Sequence, residues 1–165
     1  MTGDAVRIKK RYALRSDKVR DYLNMARNYV DETIFKKIKQ SKWEYLEFED
    51  QFSIVALDST PFLIVETDSC IPHLRSQKYL NISSIVVDQG AIPYVCNGAD
   101  IMYAGIVSFD KKIKKDDIVL VCEEKFNKEI SIGKALINGS DFDKNKKGKA
   151  VLNLHYVGDK KWKIS

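Results

Sequence analysis

Three glycines, Gly90, Gly98 and Gly105, punctuate the stretch VDQGAIPYVCNGADIMYAGI at residues 87–106, and Ala91, Ala99 and Ala104 stand beside them. Such residues do no chemistry with their side chains. They offer main chain instead: a surface nearly free of bulk beside a short helix, where exposed N–H groups can meet phosphate or base edges. The same composition suits tight packing of that helix on a sheet, and spacing alone fits both. Met102 and Tyr103 follow, two side chains able to pack or stack on an unpaired base. Tyr103 suits a barrel interior equally well. Asp100 would repel phosphate, and is placed instead to accept backbone N–H groups and hold the loop.

Other reactive residues form no recognisable machinery. Cys70-x-x-His73 has half of a zinc-ligand spacing, but no second close Cys/His pair completes four ligands, so no metal is expected. His73 and His155 lack a Gly-x-Ser-x-Gly or other nucleophile motif. Asp116–Asp117 falls in a turn pattern and Glu123–Glu124 ends a strand pattern. Adjacent acids on a strand point to opposite faces, so neither makes an acid–base couple. A phosphate-binding Gly-x-x-x-x-Gly-Lys-Ser/Thr loop is missing. The reading is of a non-enzyme without catalytic residues or a cofactor. A third possibility, a small-molecule enzyme on a barrel scaffold, would require a deep pocket holding His73 or His155 with an acid.

The 165 residues carry 28 Lys and Arg against 23 Asp and Glu, a net charge of +5, and 44% of them are hydrophobic, enough for a packed core. The charge is clustered. Arg7, Lys9, Lys10, Arg11, Arg15, Lys18 and Arg20 crowd the first twenty positions, and Lys144, Lys146, Lys147 and Lys149 form a second patch. Concentrated patches suit a polyanion, although each also reads as a solvated face. No apolar run approaches the roughly 18 residues that cross a bilayer, and no apolar signal segment follows the basic start. Cys70, Cys96 and Cys122 are odd in number and far apart, which fits a reducing compartment. These features describe a soluble, cytoplasmic protein with no membrane partner.

Periodicity predicts the elements that hold these residues. Residues 6–14 read as extended. Ser16 caps a helix running to about Asn28, with Val19, Tyr22, Leu23, Ala26 and Val30 on one face. Asp31 caps a second helix with Ile34, Phe35 and Ile38 inward and Lys36, Lys37 and Lys39 toward water. Strands follow at Trp43–Phe48, Phe52–Leu57 and Phe62–Val65, then a connection over 66–82. The second half is mostly β, with strands at Ser84–Val87, Ile118–Glu123, Ile130–Ile137, Val151–Tyr156 and Trp162–Ile164, as in a small barrel or sandwich. On the last long strand, His155 is expected outward and Tyr156 partly buried. Between these strands Pro93 confines a two-turn helix to start near Gln89–Ala91, and Asn97–Gly98 stops it in a left-handed conformation.

The glycine stretch resembles the signature of the PUA domain, an RNA-binding pseudo-barrel. The matching residues are Gly90-Ala91, Asn97-Gly98-Ala99-Asp100-Ile101-Met102 and Gly105-Ile106. Ile132-Gly133-Lys134-Ala135 is similar to the central strand of that family. Lys147-Gly148-Lys149-Ala150-Val151, His155-Tyr156, Gly158-Asp159 and Trp162 resemble its closing segment. Ala104 departs from the pattern, standing where many members have proline. The whole chain resembles the malignant T-cell-amplified family of translation factors and the front part of ligatin. Leu14-Arg15-Ser16, Pro61-Phe62-Leu63-Ile64 and Ile71-Pro72-His73-Leu74-Arg75 carry the weaker match of the first half.

The resemblance implies an α+β fold with a small α+β pre-PUA domain at 1–82 and a mostly-β PUA pseudo-barrel at 83–165. It implies RNA binding, to the CCA end of tRNA or to rRNA, and action on the small ribosomal subunit in recycling or re-initiation beside a SUI-type initiation-factor-like partner. The alternative is an accessory of RNA modification or ribosome assembly. The expected RNA-binding residues are Gly90, Ala91, Asn97, Gly98, Ala99, Met102, Tyr103, Gly105, Lys146, Lys147 and Lys149.

Overall fold

The computed structural model describes residues 6–67 and 69–164. It has two compact units: one runs to Asn81 and takes in Lys163 and Ile164, the other is Ile82–Trp162. The class is α+β.

The first unit is an antiparallel meander with two helices. Strands β1 (Ile8–Ala13), β2 (Trp43–Phe48), β3 (Ser53–Leu57), β4 (Thr60–Glu66) and β5 (Ser69–Pro72) lie in chain order across the sheet. Helices α1 (Ser16–Ala26) and α2 (Glu32–Ile38) bury Leu23, Ala26, Phe35 and Ile38 against Trp43, Val55, Leu57, Phe62 and Leu63. Asp31 caps α2 as expected, accepting the Ile34 N–H at 2.8 Å. Ser16 does not cap α1: it is already helical, and Arg15 holds the N-cap position without a side-chain hydrogen bond. The connection predicted over 66–82 contains β5 and a 3-10 helix at Leu74–Tyr79. Four residues ending in proline are too few to show alternation, so β5 left no periodic signal.

In the second unit a six-stranded sheet wraps one core. Its strands are β6 (Ser84–Val87), β7 (Ile101–Met102), β8 (Ile106–Phe109), β9 (Ile118–Glu123), β10 (Glu129–Ala135) and β11 (Lys149–Tyr156), in the order β7-β11-β10-β9-β6-β8. The β6–β9 pair is parallel and its neighbours are antiparallel. Ile85, Val87, Val95, Ile101, Ile106, Val119, Val121 and Val151 fill the interior. A bulge interrupts the β10–β11 register between Ile132 and Gly133. A Cβ on Gly133 would lie 2.8 Å from the Leu152 carbonyl oxygen, so only glycine lets the strands close there.

Two expectations for the closing segment are overturned. Residues 162–164 form turns and bends, not a strand. Asp159 accepts the N–H groups of Tyr156 at 3.0 Å and Trp162 at 2.8 Å, which folds the chain back on itself. His155 is fully buried and not outward, while Tyr156 is partly buried as anticipated. The Asp159 carboxylate lies 2.8 Å from His155 Nδ1, and this partner makes burial of the ring tolerable.

Candidate nucleic-acid interface

Residues 88–105 run from β6 to β8 and shape a groove of about 720 Å³. Asp88 starts it by accepting the Ala91 N–H at 2.9 Å, capping a 3-10 turn at Gln89–Ala91 that leads into α3 (Ile92–Val95). Pro93 sits in the first turn, where no N–H is needed. Val95 points into the core, and Ile92 and Cys96 pack partly against it. Gly98 stops the helix at φ +94°, and a Cβ there would press on the Tyr156 ring at 3.2–3.4 Å. Both the backbone angle and the close approach require glycine.

The loop after Gly98 is fastened by β11. Asn153 donates its backbone N–H to Asp100 Oδ1 at 2.9 Å. Its side-chain Nδ2 donates to the carbonyls of Val95 at 2.9 Å and Ala99 at 3.0 Å, and its Oδ1 accepts Ser131 Oγ at 2.8 Å. The other carboxylate oxygen of Asp100 meets Lys149 Nζ at 3.0 Å. Desolvation pushes the Asp100 carboxyl up, but the Asn153 N–H and the Lys149 ammonium outweigh it and hold it below its usual range. Asp100 therefore holds the loop, as anticipated.

Gly90, Ala91, Gly98, Ala99, Met102, Gly105 and Lys149 all line this groove. Asn97, Lys146 and Lys147 are exposed, but are not among its lining residues. Lys146 and Lys147 lie on the loop entering β11, which Gly148 joins to the groove segment by accepting the Tyr103 N–H at 3.1 Å. Met102 is 45% exposed. Tyr103 corrects the expectation. The 3-10 turn Tyr103–Gly105 forms with Ala104 in place of proline, and the Tyr103 ring is buried, stacked on Phe142 at 6.0 Å. No base can stack on it. The aromatic that the groove presents is Tyr94, 70% exposed on α3. Tyr94 is outward because its neighbour Val95 is inward, a signal the helical reading of 89–98 already contained.

Residues 83–157 match the PUA domain family. An uncharacterized protein of Methanocaldococcus jannaschii is 39% identical over 160 residues, covering 94% of this chain and 96% of that protein. Translation machinery-associated protein 20 of Schizosaccharomyces pombe is 30% identical over 157 residues, covering 91% of this chain and 84% of its own. Malignant T-cell-amplified sequence 2 of Homo sapiens matches 79 residues at 35% identity, 46% of this chain and 44% of that one. The chain belongs to this translation machinery-associated, malignant T-cell-amplified family. The crystal structure of a hypothetical protein from Pyrococcus horikoshii superposes with a TM-score of 0.78 at 30% identity, covering 93% of this chain and 98% of that one.

Glu123 braces the frame of the PUA domain. Glu123 accepts the N–H groups of Lys125, Phe126 and Lys128 at 2.8, 2.7 and 3.0 Å, and Gln89 Nε2 at 3.0 Å. Those bonds, the Lys128 N–H foremost, hold its carboxyl below the usual range. His155 has an acid beside it but lines no part of the groove. In the first unit, His73 Nδ1 accepts the Arg75 N–H at 3.0 Å as a helix cap. Burial pushes the thiols of Cys70 and Cys122 up to about 11, away from the reactive thiolate form. Among the described residues no helix is long and apolar enough to cross a membrane.

Proposed function

We propose that this chain is a non-catalytic, translation-associated RNA-binding protein whose PUA groove holds an unpaired RNA end. The observation that carries the reading is the groove itself: a surface free of bulky side chains at exposed Gly90 and Ala99, exposed Tyr94 and Met102 at its wall, and an exposed lysine loop leading into it. The N–H groups of Ala91, Gly98 and Ala99, expected to face the RNA, are instead bonded within the loop to Asp88, Val95 and Tyr94. Unpaired bases are read by stacking and by backbone groups, while lysines neutralise the phosphates. Membership of a family with translation machinery-associated relatives supports RNA of the translation apparatus as the ligand. In this reading the groove takes the CCA end of tRNA or an rRNA strand. The protein works on the small ribosomal subunit, in recycling or re-initiation, beside a SUI-type factor.

The test is titration of the full chain with a labelled single-stranded RNA ending in CCA, at several salt concentrations, together with sedimentation over purified ribosomal subunits. Binding that weakens steeply with salt and co-sedimentation with the small subunit are expected. No RNA binding overturns the reading. Capture of a modifying enzyme or a large-subunit precursor in place of the small subunit replaces its translational part with the accessory role.

A further inference from the structure

The first unit carries a charged surface that the groove does not involve. Residues 27–42 hold Arg27, Lys36, Lys37, Lys39 and Lys42 against only Asp31 and Glu32, and all five cations are exposed. Asp31 is already engaged as the α2 cap. Among the described residues none of the five forms an ion pair. Two of them converge. The Arg27 guanidinium, from the end of α1, lies 4.3 Å from the centroid of the Phe35 ring, and Lys39 Nζ, from the end of α2, lies 4.9 Å from it. The buried ring holds both cations by their attraction to its face, so charge from two helices is fixed in one place.

This surface reads charge and little else. None of the large exposed hydrophobics falls between residues 27 and 42, and Phe35 is only 5% exposed. Within this segment a base therefore has no exposed ring to stack on, and the one exposed apolar side chain beside it on α1 is Met25, 46% exposed, too little apolar surface to seat a bilayer. Exposed cations without exposed rings beside them fit the one feature a base-paired RNA presents uniformly, its phosphate backbone. We propose that Arg27, Lys36, Lys37 and Lys39 form a second RNA site, which grips the backbone of double-helical RNA independently of the groove. Lys42 is not part of this site, since its charge acts on Glu44.

The experiment compares two probes on the full chain: a blunt RNA hairpin without free single strands, and a short single-stranded RNA. In the variant R27Q/K36Q/K37Q/K39Q the hairpin affinity drops at least tenfold at low salt. The slope of log K against log salt flattens by about 2–4, at roughly 0.9 for each phosphate that is no longer neutralised. Single-strand affinity stays within about twofold. Thermal melting confirms folding, and K36E and K39E singly lower hairpin affinity should the quadruple variant melt early. An unchanged hairpin slope overturns the proposal, as does an equal loss on both probes. Polyglutamate competing as well as RNA at matched charge assigns the face to acidic protein and overturns it too. Failure of the groove reading is distinguishable: the wild-type chain then holds the hairpin but not the single strand.

Discussion

The backbone N–H of Asn153 reaches the Asp100 carboxylate at 2.9 Å, joining two residues 53 positions apart. With its side chain bonded to Val95, Ala99 and Ser131, Asn153 sets the shape of a loop to which it does not belong. The rim of the groove is thus part of the sheet in mechanical terms, although it is irregular in sequence.

Replacing Asn153 with alanine removes the side-chain donor from the Ala99 carbonyl, one of two donors from the Val95 carbonyl, and the closer of two acceptors from Ser131 Oγ. A cost of about 1–3 kcal/mol in stability is expected, which lowers the melting temperature without unfolding the chain. Single-strand RNA affinity falls at least tenfold as the loop relaxes. Melting and titration of the same sample check this; a loss of stability with unchanged affinity removes Asn153 from the site.

Tyr94 and Tyr103 separate by side-chain position. Tyr94→Ala weakens RNA binding by about 1–3 kcal/mol, the range for a lost base stack, and leaves the melting temperature in place. Tyr103→Ala opens the core and destabilises the fold by about 3–5 kcal/mol, while Tyr103→Phe keeps RNA affinity. An affinity loss in Tyr103→Phe contradicts the buried assignment.

The lysine loop is tested by its salt dependence. The variant K146Q/K147Q/K149Q lowers the slope for single-stranded RNA by up to about 2, since each neutralised phosphate of a single strand contributes roughly 0.7. An unaltered slope takes the loop out of the binding surface. Lys149 also releases Asp100 when replaced, so K149Q alone lowers stability slightly where K146Q and K147Q do not.

Asp159 predicts an acid-sensitive closure. Desolvation raises its carboxyl, yet the His155 ring and the Tyr156 and Trp162 N–H groups prevail and hold it below the usual aspartate value. A carboxyl depressed on folding stabilises the native state fully above its unfolded value, about 3.9. That contribution disappears as pH falls through the lower folded value. Melting temperature measured from pH 6 down to 2 falls more steeply for the wild-type chain than for D159N; parallel curves refute the assignment.

Long periodic segments were readable from the residues. Trp43–Phe48 and the helix face of Leu23 and Ala26 emerge from their repeats, and the turn at Gly98 from the glycine itself. Two-residue β7 and four-residue β5 are held by partners distant in sequence, and no local pattern records such pairing. The groove was legible as a row of small residues. Asn153 was not, because an asparagine on a strand says nothing of the carbonyls it will meet. Tyr103 was ambiguous for a similar reason: its stacking partner Phe142 lies 39 positions away, and only the folded core selects between inward and outward.

Strands β6 and β8 pair with each other, and the Asp88 N–H donates to the Gly105 carbonyl at 2.9 Å, so the segment between them begins and ends at one point of the sheet. A segment fastened in this way behaves as a cassette. Outside Val95, Gly98, the β7 backbone and the bonds to Asn153, its lining can be exchanged by mutation while the six strands keep their register. Ligand preference can accordingly be altered without touching the scaffold, by rewriting exposed groove residues such as Tyr94 and Met102 while Val95 and Gly98 stay in place.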